Sequence, residues 1–194
     1  MLMKNEKKEK TIEELEVKKE LLKPKIDVVF QALFNQKNED ITKAFISDLL
    51  GEEIINIKIN ADKELLRDRP EDKLGILDLE AEINNSEKID IEIQLIDRKN
   101  LAERLLFYWS RLYLSDIKRE DDYTVSKRTV VIAIIDYPFE KTKEIEKMET
   151  KWRLIEEKYK NLVLTEKIEI RIIELGKARD TYNKNKDDKK LHNE

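Results

Sequence analysis

The chain has 194 residues, a length that suits one domain with a sizeable core. Charged residues make up 42% of it but nearly balance at a net charge of −4, so a uniformly basic nucleic-acid-binding surface is not indicated, although a local basic strip is compatible with this balance. Cysteine is absent and the single histidine is His192, which excludes disulfides, thiolate zinc sites and cysteine nucleophiles and disfavours histidine-based acid–base chemistry. Any chemistry must rest on carboxylates, amides, lysine, arginine, tyrosine or a hard metal ion.

Phosphate-binding loops, membrane spans and export signals have no counterpart in the sequence. The three glycines are dispersed, whereas dinucleotide and Walker-type loops need clustered glycines. No apolar run approaches the roughly 20 residues of a membrane span, and the lysine- and glutamate-rich N-terminus lacks the apolar stretch of a signal peptide. The sequence therefore predicts a cytoplasmic protein with no membrane association.

The first third of the chain predicts a charged arm followed by helix and strand. Residues 1–23 suggest a solvated helix or a disordered arm. Residues 24–51 have apolar side chains at three- and four-residue spacing, which predicts one amphipathic helix, or two short helices divided near 36–40. Gly51 fits a helix C-cap. Residues 53–60 alternate as a strand, and 61–74 are expected to form a loop.

The stretch ILDLEAEINNSEKIDIEIQL, residues 76–95, predicts a β-hairpin. Side chains alternate between the two faces of a strand, so the apolar residues share one face and the polar residues the other. A turn at Asn84, Asn85 and Ser86 would set Asp78 opposite or diagonal to Glu92. The polar positions are Asp78, Glu80, Glu82, Asp90, Glu92 and Gln94.

This acidic hairpin face has two interpretations. A half-buried antiparallel sheet ordinarily has a solvated polar face. Solvated faces usually mix charges, however, and like charges directly opposite each other are destabilising. Facing carboxylates suit a hard divalent cation such as Mg²⁺, which could support phosphodiester hydrolysis. We interpret Asp78 and Glu92 as a metal site, with Glu80, Glu82 and Asp90 as solvated extra acids.

The second half of the chain predicts alternating helices and strands. Residues 100–117 have apolar side chains at helical spacing, and residues 128–138 are predicted to form a buried central strand. A charged helix is predicted at 140–160 and a last strand at 168–175. Overall we expect an α/β fold with a mixed, largely antiparallel sheet flanked by helices. Its domain would span 24–178, followed by a polar, disordered tail at 179–194.

Arg104 and Arg111 are predicted to lie two turns apart on one helical face, with Tyr108 between them. They could bind phosphate while the tyrosine packs or stacks, or they could form ordinary surface pairs with neighbouring acids. Arg98, Lys99 and Asn100 form a small basic entry to this helix and could also approach DNA.

Five segments in order resemble the PD-(D/E)xK nuclease core, and more narrowly the Rpn branch of recombination-promoting nucleases and transposases. They are KPKIDVVFQALF, LDLEAEI, IDIEIQL, ERLLFYWSRLY and IEIRIIELGK. The resemblance covers residues 23–178. It implies a restriction-endonuclease-like core and a Mg²⁺- or Mn²⁺-dependent DNA endonuclease acting in recombination or transposition.

The resemblance also implies roles for individual residues. Asp78 and Glu92 would bind the metal, with the Ile93 carbonyl as a further ligand. Gln94 stands where the wider superfamily has lysine, and it could orient water but not act as an acid or base. Asp27 matches an acidic position of the first helix and is a candidate accessory acid.

A second interpretation gives this chain the same fold without the activity. Gln31 replaces a lysine that is common in the branch, and relatives commonly continue past the closing strand. A truncated or inactive member would act as a DNA- or protein-binding module. Many DNA-cutting enzymes work as dimers, but the sequence identifies no self-complementary surface.

Overall fold

A computed structural model of the chain describes residues 27–60, 64–65, 75–76 and 78–191, with side chains described at 29–60 and 78–184. The arm expected at 1–23 lies outside the described residues. No helix in this part of the chain is both long and apolar enough to cross a membrane.

The first described segment forms two helices rather than one. Helix α1 spans Asp27–Leu33 and helix α2 spans Glu39–Leu50, with a single 3-10 turn at Gln36–Asn38 between them. The Asn35 side chain accepts a hydrogen bond from the Lys37 N–H at 2.9 Å. Such local side-chain bonds compete with a continuous helix, which accounts for the division near residues 36–40.

Gly51 ends α2 as the sequence predicts. Its φ of 71° lies in the left-handed region, and its N–H donates to the Ser47 carbonyl at 2.8 Å. Glycine adopts this conformation without the strain that a Cβ atom introduces. The helix end thus has both its turn and its capping bond.

The described strands form a six-stranded sheet in the order β1-β4-β5-β6-β8-β7 and a separate β2–β3 pair. Three of the five neighbouring pairs in the large sheet are antiparallel, and β5–β6 and β6–β8 are parallel. The predicted mixed sheet flanked by helices is confirmed. The strands are β1 (Ile57–Ile59), β2 (Glu64–Leu65), β3 (Gly75–Ile76), β4 (Leu79–Ile83), β5 (Glu87–Gln94), β6 (Arg128–Ile135), β7 (Glu149–Trp152) and β8 (Ile168–Glu174).

The acidic hairpin has the predicted register. In β4 and β5, Leu79 pairs with Ile91 and Glu80 with Asp90. The connecting turn contains Asn84 at a φ of 49°, and asparagine tolerates this left-handed conformation better than most residues. Extending the register by one residue sets Asp78 opposite Glu92.

The two faces of the sheet pack against different helices. On one face Ile89, Ile91 and Ile132 join a core with α1 and α2. The other face is covered by helix α3, Leu101–Leu114, whose Leu101 and Leu105 pack on side chains of β6 and β8. The acidic face of β5 therefore lies under α3, because its side chains alternate with the isoleucines.

Three sequence predictions need correction. The expected helix at 140–160 is instead a short 3-10 turn and β7, which pairs with the otherwise open edge of β8. That pairing satisfies backbone groups, whereas the charged segment offers no long apolar stripe to anchor a helix. Part of the expected loop at 61–74 is strand β2. The tail expected to be disordered continues as helix α4, Leu175–Leu191, with no proline to stop it.

A buried ion-pair network holds the end of α2 to the sheet. Arg171 on β8 is 2% exposed and donates to the Leu49 carbonyl at 2.6 Å and to Glu169. Arg128 on β6 also binds Glu169, at 2.8 Å. The last carbonyls of a helix lack intrahelical partners, so Arg171 supplies both hydrogen bonds and a positive charge where the helix dipole favours one.

We expect this network to make the fold sensitive to acid. Burial alone would raise the pKa of Glu169, but hydrogen bonds from Arg128 and Arg171 outweigh it and lower that pKa below its ordinary value. A lowered folded-state pKa contributes stability above the unfolded value of about 4.3, and this contribution is lost as pH falls through the folded-state pKa. The free energy of unfolding can be measured by urea titrations at several pH values between about 6 and 3. As the pH is lowered, it should fall more steeply for the native chain than for Glu169→Gln. Parallel curves would contradict the prediction.

Candidate active site

The ends of β4 and β5 bring Asp78 and Glu92 together. The Asp78 carboxylate accepts a hydrogen bond from the Ile93 N–H at 2.7 Å, and the Asp78 N–H lies 3.4 Å from Glu92 Oε1. Asp78 thus engages β5 through both its backbone and its side chain. The geometry meets the requirement of the enzyme interpretation that the two carboxylates lie on the same side of the sheet.

Asp90 adds a third carboxylate to this face, and it is fully buried. Neither of its oxygens has a hydrogen-bond partner within the described residues. Burial, together with the charges of Glu92, Asp78 and Glu80, raises the pKa of Asp90 well above its usual range. The interpretation of Asp90 as a solvated extra acid is wrong, because α3 covers this part of β5.

Glu80 and Glu82 also depart from simple solvation. Glu80 accepts a hydrogen bond from the Asn60 side chain, and burial raises the pKa of Glu80 although this bond opposes the rise. Glu82 pairs with Lys127 at 2.6 Å and is half-buried. Both therefore have protein partners, in contrast to Asp90.

We expect Asp90→Asn to stabilise the metal-free protein by about 1 kcal/mol or more, because asparagine is neutral and removes the cost of a buried carboxyl that faces other carboxylates. The free energy of unfolding in chelator measures this change. Glu82→Gln is the matched control, since it removes an ion-paired charge from the same hairpin face and should be neutral or slightly destabilising. A less stable Asp90→Asn would show that Asp90 has a stabilising partner.

Arg104 on α3 forms the cationic side of the site. Its guanidinium donates to Gln94 Oε1 at 3.1 Å and to the Tyr108 hydroxyl at 3.2 Å, and it lies 3.9 Å from Glu92 Oε2. Gln94 is 7% exposed. The structure therefore places Gln94, Arg104 and Tyr108 next to the acidic pair.

The other candidate residues are placed less closely. Arg111 lies near the far end of β5, because the adjacent Leu112 carbonyl accepts from Lys88 at 3.3 Å. Lys99 is exposed in the loop before α3, with its N–H bound to Asp97 at 2.7 Å. Asp27 begins α1, but its side chain lies outside those described.

The family model for PD-(D/E)XK nuclease family transposases matches residues 24–193. The chain belongs to this family. The comparisons with curated proteins and with solved structures found no match. Membership in the PD-(D/E)XK nuclease family suggests a nuclease or transposase role with DNA as the substrate, and nucleases of this kind typically use divalent metal ions.

The donors beside Asp78 fit the kind of cation that this nuclease family uses. The carboxylates of Asp78 and Glu92 are hard oxygen ligands, and buried Asp90 adds a third carboxyl group without a hydrogen-bond partner in the described residues. The N–H and C=O of one strand residue point toward the same neighbouring strand. Because the Ile93 N–H donates to Asp78, the Ile93 carbonyl also faces β4. Nowhere in the described residues do three or more acidic, histidine or cysteine side chains group closely enough to hold a metal. This arrangement fits Mg²⁺, which is commonly bound by one or two carboxylates, with waters and substrate phosphates as further ligands.

Sequence reasoning missed one feature of this site. The burial of Asp90 depends on how α3 packs over β5, and no local pattern encodes that packing. Arg98, part of the basic entry to α3 predicted with Lys99 and Asn100, lines a cavity beside Gln94.

Proposed function

We propose that this family member is a metal-dependent DNA endonuclease that hydrolyses phosphodiester bonds in recombination or transposition. The observation that carries the proposal is the meeting of Asp78 and Glu92 at the ends of two adjacent strands, where the Asp78 carboxylate accepts the Ile93 N–H at 2.7 Å and the Asp78 N–H approaches Glu92 Oε1 at 3.4 Å. Two carboxylates held this close favour a divalent cation, which offsets their repulsion. The surrounding sheet and helices support a restriction-endonuclease-like core.

In this proposal Asp78, Glu92 and the Ile93 carbonyl would hold Mg²⁺ or Mn²⁺. The ion would supply Lewis-acid polarisation of the phosphodiester and activation of water near neutral pH. Asp78 has a second task, because its bond to the Ile93 N–H fixes the end of β4 against β5. Asp27 is a candidate further acid from α1.

Gln94 and Arg104 would act on the substrate side. Gln94 cannot gain or lose a proton near neutral pH, so it would orient water or phosphate by hydrogen bonding. Arg104 fixes the Gln94 amide at 3.1 Å and keeps a positive charge near Glu92. That charge would stabilise the negative charge that develops on the transferred phosphate. Tyr108 holds the guanidinium in place from the same helix, and Lys99 is a candidate contact to DNA.

The test is cleavage of supercoiled plasmid by the purified chain with Mg²⁺, with a chelator control and with Asp78→Asn prepared in parallel. Cleavage by the native chain alone, lost in chelator and in the variant, supports the proposal. Equal cleavage by both proteins would overturn the assigned site. No cleavage by either would favour the second interpretation, a member of the family that binds DNA or protein without cutting.

A further inference from the structure

A polar cavity of about 220 Å³ opens beside the acidic pair, at the end of β5 and the start of α3. Gln94 and Arg104 line it, and so does Arg98, which lies in the loop between the two elements. The roles proposed above for the acidic pair leave this cavity without an occupant. Its remaining wall is formed by Ile93, Leu95 and Ile96.

The Gln94 amide, in the wall of the cavity, has a donor without a partner among the described residues. Arginine is only a donor, so the amide atom that faces Arg104 must be the oxygen, and this fixes the orientation of the group. The amide nitrogen is consequently turned away from Arg104, and it is buried with no acceptor within the described residues. Buried donors are normally satisfied, so the missing partner is an acceptor from water or from a ligand.

The charges around the cavity favour an anionic acceptor. Arg104 is held in position by Gln94 and the Tyr108 hydroxyl, so little side-chain entropy is lost when it binds. The Arg98 guanidinium forms no hydrogen bond or ion pair within the described residues and is exposed at the rim. Two acids lie close by. Glu92 is 3.9 Å from Arg104. Asp97 precedes Arg98 in the loop, where its carboxylate accepts the Lys99 N–H at 2.7 Å.

We propose that this cavity is an anion site that takes one phosphate group of the nucleic acid strand. Two arginine forks and an amide N–H₂ match the several oxygens of a phosphate. The inference rests on the proposed function for its substrate. The same guanidinium approaches both Gln94 and Glu92, so a phosphate bound here would lie next to the phosphate being cleaved. The group could be an internal diester or a terminal monoester.

The test measures binding without metal, so that it does not depend on cleavage. In chelator at constant ionic strength, inorganic phosphate is titrated into the native chain, Arg98→Gln and Arg119→Gln, with affinity from calorimetry or amide chemical shifts. Arg119→Gln is the matched control, because it makes the same substitution at an exposed residue of the loop after α3, which does not line the cavity. We expect Arg98→Gln to weaken phosphate binding about tenfold or more, the usual effect of losing a charged hydrogen bond, and Arg119→Gln to change it less than about twofold.

Equal weakening in the two variants would overturn the proposal, because it would reflect general surface charge. Unmeasurable binding to the native chain would overturn it too. Anisotropy with 5′-phosphorylated and 5′-hydroxyl oligonucleotides distinguishes the sources: preference for the phosphorylated end, lost in Arg98→Gln, assigns a terminal monoester. Equal binding of both oligonucleotides, weakened by Arg98→Gln, assigns an internal diester. If the chain binds phosphate through Arg98 but cuts no plasmid, the anion site would be supported and the proposed nuclease activity would be contradicted.

Discussion

Asp78→Asn is expected to slow Mg²⁺-dependent plasmid cleavage by about three orders of magnitude or more, since metal-ion catalysis contributes several kcal/mol and each 1.36 kcal/mol is tenfold in rate. Asparagine keeps an oxygen that can accept the Ile93 N–H, so the register of β4 and β5 should survive. The substitution removes only the negative charge. Lost cleavage in a folded variant would therefore reflect weakened cation binding.

Glu82→Gln controls for the loss of one negative charge from the same strand. Glu82 is paired with Lys127 at 2.6 Å and opposes Lys88, so it lies toward the far end of β5 from Glu92. We expect the cleavage rate of Glu82→Gln to remain within about twofold of the native rate, as is usual for changes at partly exposed ion pairs.

A second readout is thermal unfolding, because a ligand that binds only the folded state raises the melting temperature of the protein. Mg²⁺ should raise it for the native chain and Glu82→Gln but not for Asp78→Asn; an equal rise in all three would contradict the assigned metal site.

The hairpin was predictable because its information is local. Alternating apolar and acidic residues set the two faces, and the asparagines at 84 and 85 set the turn, so the meeting of Asp78 and Glu92 followed from register alone. The division of the first helical segment and the cap at Gly51 were encoded in the same way.

The rest depends on contacts between segments that are distant in sequence. Whether Asp90 faces water is decided by where α3 lies, and the pairing of Arg104 with Gln94 needs the same packing. The helix predicted at 140–160 was wrong for a related reason. The charged composition of this segment indicated a solvated helix, but part of it pairs with the open edge of β8 as β7. Tertiary context overrides weak local propensity in such segments.

Arg171 shows this most clearly, because an arginine in an alternating strand gives no sign that it will be buried. It is 2% exposed and binds the carbonyls of Leu49 and Leu50, more than a hundred residues earlier in the chain. Replacing it with methionine should lower the free energy of unfolding by about 3–5 kcal/mol, because removing one partner leaves the other groups buried and unpaired. Urea unfolding measures the change. Arg179→Met is the matched control: Arg179 pairs with Asp136 at 2.7 Å, but its side chain is 59% exposed, so its loss should cost less than about 1 kcal/mol.

A double substitution separates the unpaired charge from the lost packing. Glu169 binds both Arg171 and Arg128, so in Arg171→Met it keeps one of its two cationic partners. Changing Glu169 to methionine as well removes the carboxylate that Arg171 left behind, while Arg128 retains Glu87 and Glu52. Buried ion pairs replaced as a whole by apolar residues are often neutral or stabilising, so the double variant should recover part of the stability lost in Arg171→Met. A double variant less stable than Arg171→Met would instead show that most of the stabilisation comes from the bond between Glu169 and Arg128. If Arg171→Met alone were as stable as the native chain, the α2 carbonyls would not depend on Arg171.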